Sequence, residues 1–242
     1  MILAIDAGNT RTKWGVFDAS GEMAAQGAVD NSQLGRLVQD SAAWAGCRRA
    51  VVSNVAGEVV DQQLRTLFEA RQLPVRWVRS EAAACGVINN YARPEQLGTD
   101  RWAALVAAWN RYRQPCVVAT AGTALTVDAL SAQGEFLGGL ILPGRALMYE
   151  SLAAGTAALS IGQGVLCDFP SRTEDAIASG IAFAIAGAVE RQCAVLEQRE
   201  GALRCLLSGG DAQWLAAALP KSAEIVDDLT LRGLFLIERE HS

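Results

Sequence analysis

Near the N-terminus, Asp6-Ala7-Gly8-Asn9-Thr10-Arg11-Thr12-Lys13 gathers a carboxylate, small-residue amides, two hydroxyls and two cations into eight residues. Such a set suits a polyphosphate and its metal ion, with amides and cations for the phosphate oxygens and the carboxylate for Mg²⁺. Lys13 is one of only two lysines in the chain, the other being Lys221. A second group, Gly98-Thr99-Asp100-Arg101, runs straight into an apolar stretch at Trp102. Taken alone it reads as a helix start capped by Thr99 or Asp100. A third group, Thr120-Ala121-Gly122-Thr123-Ala124-Leu125-Thr126-Val127-Asp128, echoes the first, its Ala-Gly pair and later Thr falling in register with Ala7-Gly8 and Thr12.

These groups need elements to hold them. The apolar runs at 2–5 and 14–17 flank the first group. They predict strand, tight turn, strand, with Asp6 ending the first strand and Gly8-Asn9 supplying the positive φ of a two-residue hairpin. A third strand is expected at 23–29, then a helix from an N-cap among Asp30, Asn31 and Ser32 to about Trp44. Strands at 50–53 and 75–78 bracket a helix over 57–71, where Val60, Leu64, Leu67 and Phe68 fall at helical spacing. Residues 80–97 look irregular, a helix covers 102–112, and Gln114-Pro115 marks a boundary. The second half opens like the first: strand 116–119, the glycine turn, a strand at 136–142. It continues with helices at 145–154 and 174–200 and a strand at 203–207 ending in Ser208-Gly209-Gly210. A short helix over 212–219, a strand at 225–226 and a helix over 229–238 close the chain. An order of strand, turn, strand, strand and helices that occurs twice implies an α/β protein of two similar halves, 1–115 and 116–242. A cleft between them would receive one glycine hairpin from each half.

Composition removes several alternatives. Half of the 242 residues are hydrophobic and no low-complexity tract appears, as expected of a folded protein. A net charge of −5 argues against nucleic acid as the main partner, yet leaves room for a small phosphorylated ligand in a local cationic pocket. No signal peptide is evident, the apolar run at 176–189 looks too short for a bilayer span, and a cytoplasmic protein with no membrane partner is expected. The six cysteines form no CxxC pair, which leaves metal or redox motifs unsupported. The single histidine, His241, stands next to the last residue, so Ser-His or Cys-His catalysis and His-ligated zinc are disfavoured. There is no GxxxxGK[ST] loop, and Gly162-Gln163-Gly164 lacks the third glycine of a dinucleotide fingerprint.

The first and second groups, the run from Gly122 to Asp128, and Gly138-Gly139 through Pro143-Gly144 stand in the order seen in type III pantothenate kinases. The chain resembles that family over nearly its whole length. The family belongs to the superfamily of acetate and sugar kinases, heat-shock chaperone ATPases and actin. The resemblance implies two duplicated actin-like (ribonuclease H-like) domains with a nucleotide cleft, and ATP-dependent phosphorylation of pantothenate to 4′-phosphopantothenate, the first step of coenzyme A synthesis. It implies that Asp6 holds Mg²⁺ and that Ala7, Gly8, Asn9, Thr10, Arg11, Thr12, Lys13 and Thr123 bind ATP. Asp100 resembles the general base, and Tyr91, Gly98, Thr99, Asp100, Arg101 and Thr173 match positions that bind pantothenate. Asp128 would support Mg²⁺ indirectly, and Ser208-Gly209-Gly210 resembles the adenosine-side turn. Thr120 stands where many members carry the aspartate associated with a bound K⁺ or NH₄⁺. A neutral hydroxyl is the weaker cation ligand, so little dependence on that ion is expected. The family also implies a homodimer. Two other readings stay open at this point: a non-enzymatic transcriptional accessory factor related to Bvg accessory factors, and a kinase of the same fold acting on a sugar or acyl group.

Overall fold

The computed structural model describes residues 1–37, 41–156, 162–220 and 223–241. The chain divides into two compact units, Met1–Tyr112 with Asp228–Ser242, and Arg113–Asp227.

In the first unit, β1 (Ile2–Ala7), β2 (Arg11–Phe17), β3 (Met23–Asp30), β4 (Arg49–Asn54) and β5 (Val75–Trp77) lie in the order β3-β2-β1-β4-β5. The β1–β2 and β2–β3 pairs are antiparallel, and the β1–β4 and β4–β5 pairs are parallel. Side chains alternate across a strand, so Ile5, Trp14 and Val52 share one face while Asp6, Lys13 and Ser53 share the other. The first face packs on Val60, Leu64 and Phe68 of α1 (Glu58–Ala70) and on Trp44. The helix expected from Asp30 to Trp44 is replaced by 3₁₀ turns at Asn31–Arg36 and Ser41–Trp44, and its residues 38–40 lie outside the described set. Gly35 and the non-helical Gln33 weaken an α-helix there.

The second face packs on α2 (Thr99–Tyr112) and α6 (Leu229–Glu240). Phe17 stacks on Phe235 at 4.8 Å. Helices α2 and α6 cross closely at Gly233, where a Cβ would overlap the Ala103 carbonyl. The closing helix therefore belongs to the first unit, whereas the division at 115/116 put it in the second half. Residues expected to be irregular contain a small hairpin, β6 (Ala83–Ala84) and β7 (Val87–Asn89), turning at Cys85 and Gly86, both with positive φ.

The second unit repeats the plan. Strands β8 (Cys116–Ala121), β9 (Ala124–Leu130), β10 (Glu135–Pro143), β11 (Arg204–Ser208) and β12 (Glu224–Ile225) run in the order β12-β11-β8-β9-β10. The β8–β9 pair is antiparallel and the β8–β11 pair parallel, matching β1–β2 and β1–β4. Helices α3 (Arg145–Gly155), α4 (Thr173–Glu200) and α5 (Ala212–Ala218) complete it. Helix α4 presents Ile177, Ile181, Ile185 and Val189 to the sheet residues Val117, Ala119 and Val127. The expectation of a segment too short for a bilayer does not hold for the whole helix. By length and composition α4 could cross a membrane, but its isoleucine row lies in the core of its own unit.

Candidate active site

The first hairpin closes in a two-residue turn whose central residues are Asn9 and Thr10 rather than Gly8 and Asn9. Ala7 pairs with Thr12, and the Gly8 amide donates to the Arg11 carbonyl at 3.1 Å. Neither Gly8 nor Asn9 has a positive φ, contrary to the sequence expectation. The turn is held from outside instead. The Asn31 amide nitrogen donates to the Gly8 carbonyl at 2.7 Å and to the Asn9 carbonyl at 3.1 Å. The Asn31 backbone N–H donates to the Thr10 carbonyl at 2.9 Å, and the Thr12 hydroxyl donates to Asn31 Oδ1 at 2.9 Å. Thr12 is fully buried, so its hydroxyl serves the turn rather than a ligand. Arg11 is exposed and pairs with Asp30 at 3.4 Å.

At the end of β1, Asp6 lies in register with Lys13 on one side and Ser53 on the other. Its Oδ1 is buried and, among the described residues, receives no hydrogen bond. Burial, then the nearby Asp100 carboxylate, push its pKa up to about 7; Lys13 opposes this, and Asp228 adds to it. A buried, undonated carboxylate oxygen beside two further carboxylates calls for positive charge, and the donor set is the oxygen type Mg²⁺ prefers. Among the described residues no three His, Cys, Asp or Glu side chains gather into a metal cage. An ion at Asp6 would thus take most of its ligands from water and phosphate. Asp228, in the left-handed region at φ 57°, joins Lys13 in lining a cavity of about 260 Å³.

Helix α2 positions the second group. Thr99 is its first residue and shares a 2.7 Å hydrogen bond with the buried Ser53 hydroxyl of β4. Asp100 lies within the first turn and does not cap the helix; among the described residues its carboxylate makes no hydrogen bond. Gly98 leaves it room, since Asp100 Oδ1 lies 2.6 Å from where a Cβ would stand. Arg101 is buried and donates to the Tyr91 hydroxyl at 3.2 Å, so these two expected residues meet. Asn89 ties down the loop carrying Tyr91 by donating to the Glu81 and Pro94 carbonyls and accepting from the Tyr91 amide.

In the second unit the turn is one residue shorter, for Ala121 pairs with Leu125 and Thr120 with Thr126. The residue-by-residue echo therefore slips by one after the turn: Leu125 takes the place of Thr12, and Thr126 that of Lys13. Thr123 is exposed at the tip, and its carbonyl accepts the Gly144 amide at 2.9 Å. Gly209, at φ +93°, lies against the backbone of Ala121, where a Cβ would overlap it, and the Asp211 amide donates to the Ala121 carbonyl at 3.1 Å. The Ser208-Gly209-Gly210 turn and the second hairpin are thus packed together. Ser208 and Thr126 both flank Thr120 in register, putting hydroxyls where a carboxylate was missing. Asp128 is buried opposite Val118 and Gly139. Thr173 is the first residue of α4 and exposed, and no side chain caps that helix.

Two copies of one mixed sheet, each with a glycine turn between its first two strands, define an α/β protein of the actin and sugar-kinase fold. Solved structures share this fold. A conserved Baf family protein of Campylobacter jejuni superposes with a TM-score of 0.63 at 22% identity, covering 99% of this chain and 98% of that one. A ROK family glucokinase of Streptomyces griseus, in complex with glucose and AMPPNP, gives 0.52 at 14% identity, covering 99% of each chain. At the level of sequence, residues 2–195 match the type III pantothenate kinase family. The type III pantothenate kinase of Methylobacillus flagellatus is 45% identical over 249 residues, covering 98% of each chain. That of Nitrosospira multiformis is 46% identical over 250 residues, covering 100% of this chain and 92% of the relative. The chain belongs to the type III pantothenate kinase family and is a phosphotransferase.

Proposed function

We propose that Asp6, Lys13, Asp100, Arg101 and the two glycine hairpins carry out the family's reaction, ATP-dependent phosphorylation of pantothenate to 4′-phosphopantothenate. The product enters coenzyme A synthesis. The observation that supports this most is Asp6, whose buried Oδ1 lacks a donor beside Lys13 and within the field of Asp100. Mg²⁺, when bound there, neutralises phosphate charge. The turn at Gly8–Thr10, Lys13 and Thr123 hold the phosphates, as amides and cations do in other polyphosphate sites. Asp100 accepts the proton of the pantothenate primary hydroxyl while that oxygen bonds to the γ-phosphorus, the bond to the bridging oxygen breaks, and ADP leaves. Arg101 binds the pantothenate carboxylate as a planar donor, steadied by Tyr91. In this reading Thr173 is a further pantothenate-binding residue and Asp128 an indirect support for the ion.

The test is ATP- and pantothenate-dependent release of ADP, with Asp100→Asn as comparison. A loss of about 10²-fold or more in kcat is expected for removal of a general base. Unchanged kcat would remove Asp100 from that role. We also propose a homodimer formed through the outer face of α4, where Gly180, Phe183 and Ala184 are exposed. Sedimentation of an active, concentration-independent monomer would rule it out.

A further inference from the structure

Asn31 belongs to none of the groups singled out in the sequence, yet it makes more contacts to the first hairpin than any residue outside it that the hydrogen bonds record. We propose that Asn31 is the positioning residue of the phosphate-binding turn: it aims the turn's peptide N–H groups at the nucleotide. The inference rests on the kinase reading above and concerns how that site is held.

The argument starts from the peptide unit. A trans peptide is planar, with its C=O and the following N–H pointing to opposite sides. Asn31 draws the Gly8 carbonyl to its side-chain amide and the Thr10 carbonyl to its backbone N–H. The N–H groups of Asn9 and Arg11, which share those peptides, must then face away from Asn31. The Asn9 carbonyl between them accepts from the same side-chain amide at 3.1 Å, so all three peptides are turned the same way, and N–H groups turned to one side form an anion-binding concavity. The same turn has no positive φ at Gly8 or Asn9, so its shape is not supplied by a local glycine conformation. A distant side chain supplies it. Asn suits the task because one planar group both donates to two carbonyls and accepts from the Thr12 hydroxyl. A Ser could not span three partners, and an Asp would set a negative charge against the carbonyls of Gly8 and Asn9.

Asn31→Asp keeps the shape and the acceptor for Thr12 while removing both donors; Asn31→Ala removes all side-chain bonds. Both are measured for melting temperature, for MgADP binding by calorimetry, and for the KM of ATP and of pantothenate separately. The expected result is a folded Asn31→Asp protein with MgADP affinity and ATP KM weakened about tenfold, pantothenate KM within about twofold of wild type, and Asn31→Ala at least as impaired. In ¹⁵N spectra the Asn9 amide of wild type moves on adding MgADP, and in Asn31→Asp it does not. Unchanged nucleotide affinity in folded Asn31→Asp would overturn the proposal, and so would equal losses for both substrates with a lowered melting temperature. If wild type binds MgADP but does not phosphorylate pantothenate, the substrate reading fails while Asn31 is still judged on ADP binding. Wild type that binds no nucleotide overturns both.

Discussion

Ionising Asp6 in the folded chain puts negative charge on a carboxylate whose buried oxygen no donor reaches, within the field of Asp100 and Asp228. Its pKa rises from 3.8 to about 7, so between those values the folded state keeps a proton that the unfolded state has lost. Stability from this group is therefore full below about pH 3.8 and falls as pH rises towards 7, opposite to the usual salt-bridged aspartate. The displacement bounds the effect at roughly 4 kcal/mol. In chelator-treated protein at pH 8, Asp6→Asn should raise the urea midpoint and flatten this slope, while ATP turnover is lost. A lower midpoint in Asp6→Asn would show that the buried carboxylate is already compensated. Asp6 and Lys13 were legible because they are neighbours across one hairpin. Asn31 read only as a helix cap because its partners lie about twenty residues away, and sequence patterns carry no sign of a bond at that distance. Ser53 and Asp228 were missed for the same reason.

At the scale of elements, strand alternation and helical spacing located nearly every strand and helix, since each reports a buried face. They failed where a face is made by something else. The turn after β1 is shaped by Asn31 rather than by glycine conformation, and the 31–44 segment gives up an α-helix for 3₁₀ turns. Helix α2 starts at Thr99 rather than at Trp102 because Ser53 anchors its first residue. The crossing of α2 and α6 sets where Asp100 and Asp228 stand relative to Asp6. Gly233→Ala would drive a methyl into the Ala103 carbonyl. It should destabilise the protein by about 2–3 kcal/mol in urea unfolding and lower kcat even where the protein remains folded. A variant with wild-type midpoint would mean the helices part without consequence for the site.

Over the whole molecule the duplication carried the fold. Two sheets with the strand orders β3-β2-β1-β4-β5 and β10-β9-β8-β11-β12 are the same plan written twice. Their difference makes a prediction: the second copy offers the hydroxyls of Thr120, Thr126 and Ser208 in adjacent register, with no carboxylate at the strand end. Exchange of K⁺ for Na⁺ should change kcat by less than about twofold, because hydroxyls discriminate weakly between such ions. A strict K⁺ requirement in steady-state assays would show that these oxygens and backbone carbonyls suffice. By itself the sequence determined the α/β class, the repeat and the identity of the charged and hydroxylic groups, because these are written in local spacing. Only the tertiary structure decided that the last helix closes the first unit, that Asp228 joins Asp6, and that Asn31 holds the turn. Those relations join residues far apart in the chain, and only packing brings them together.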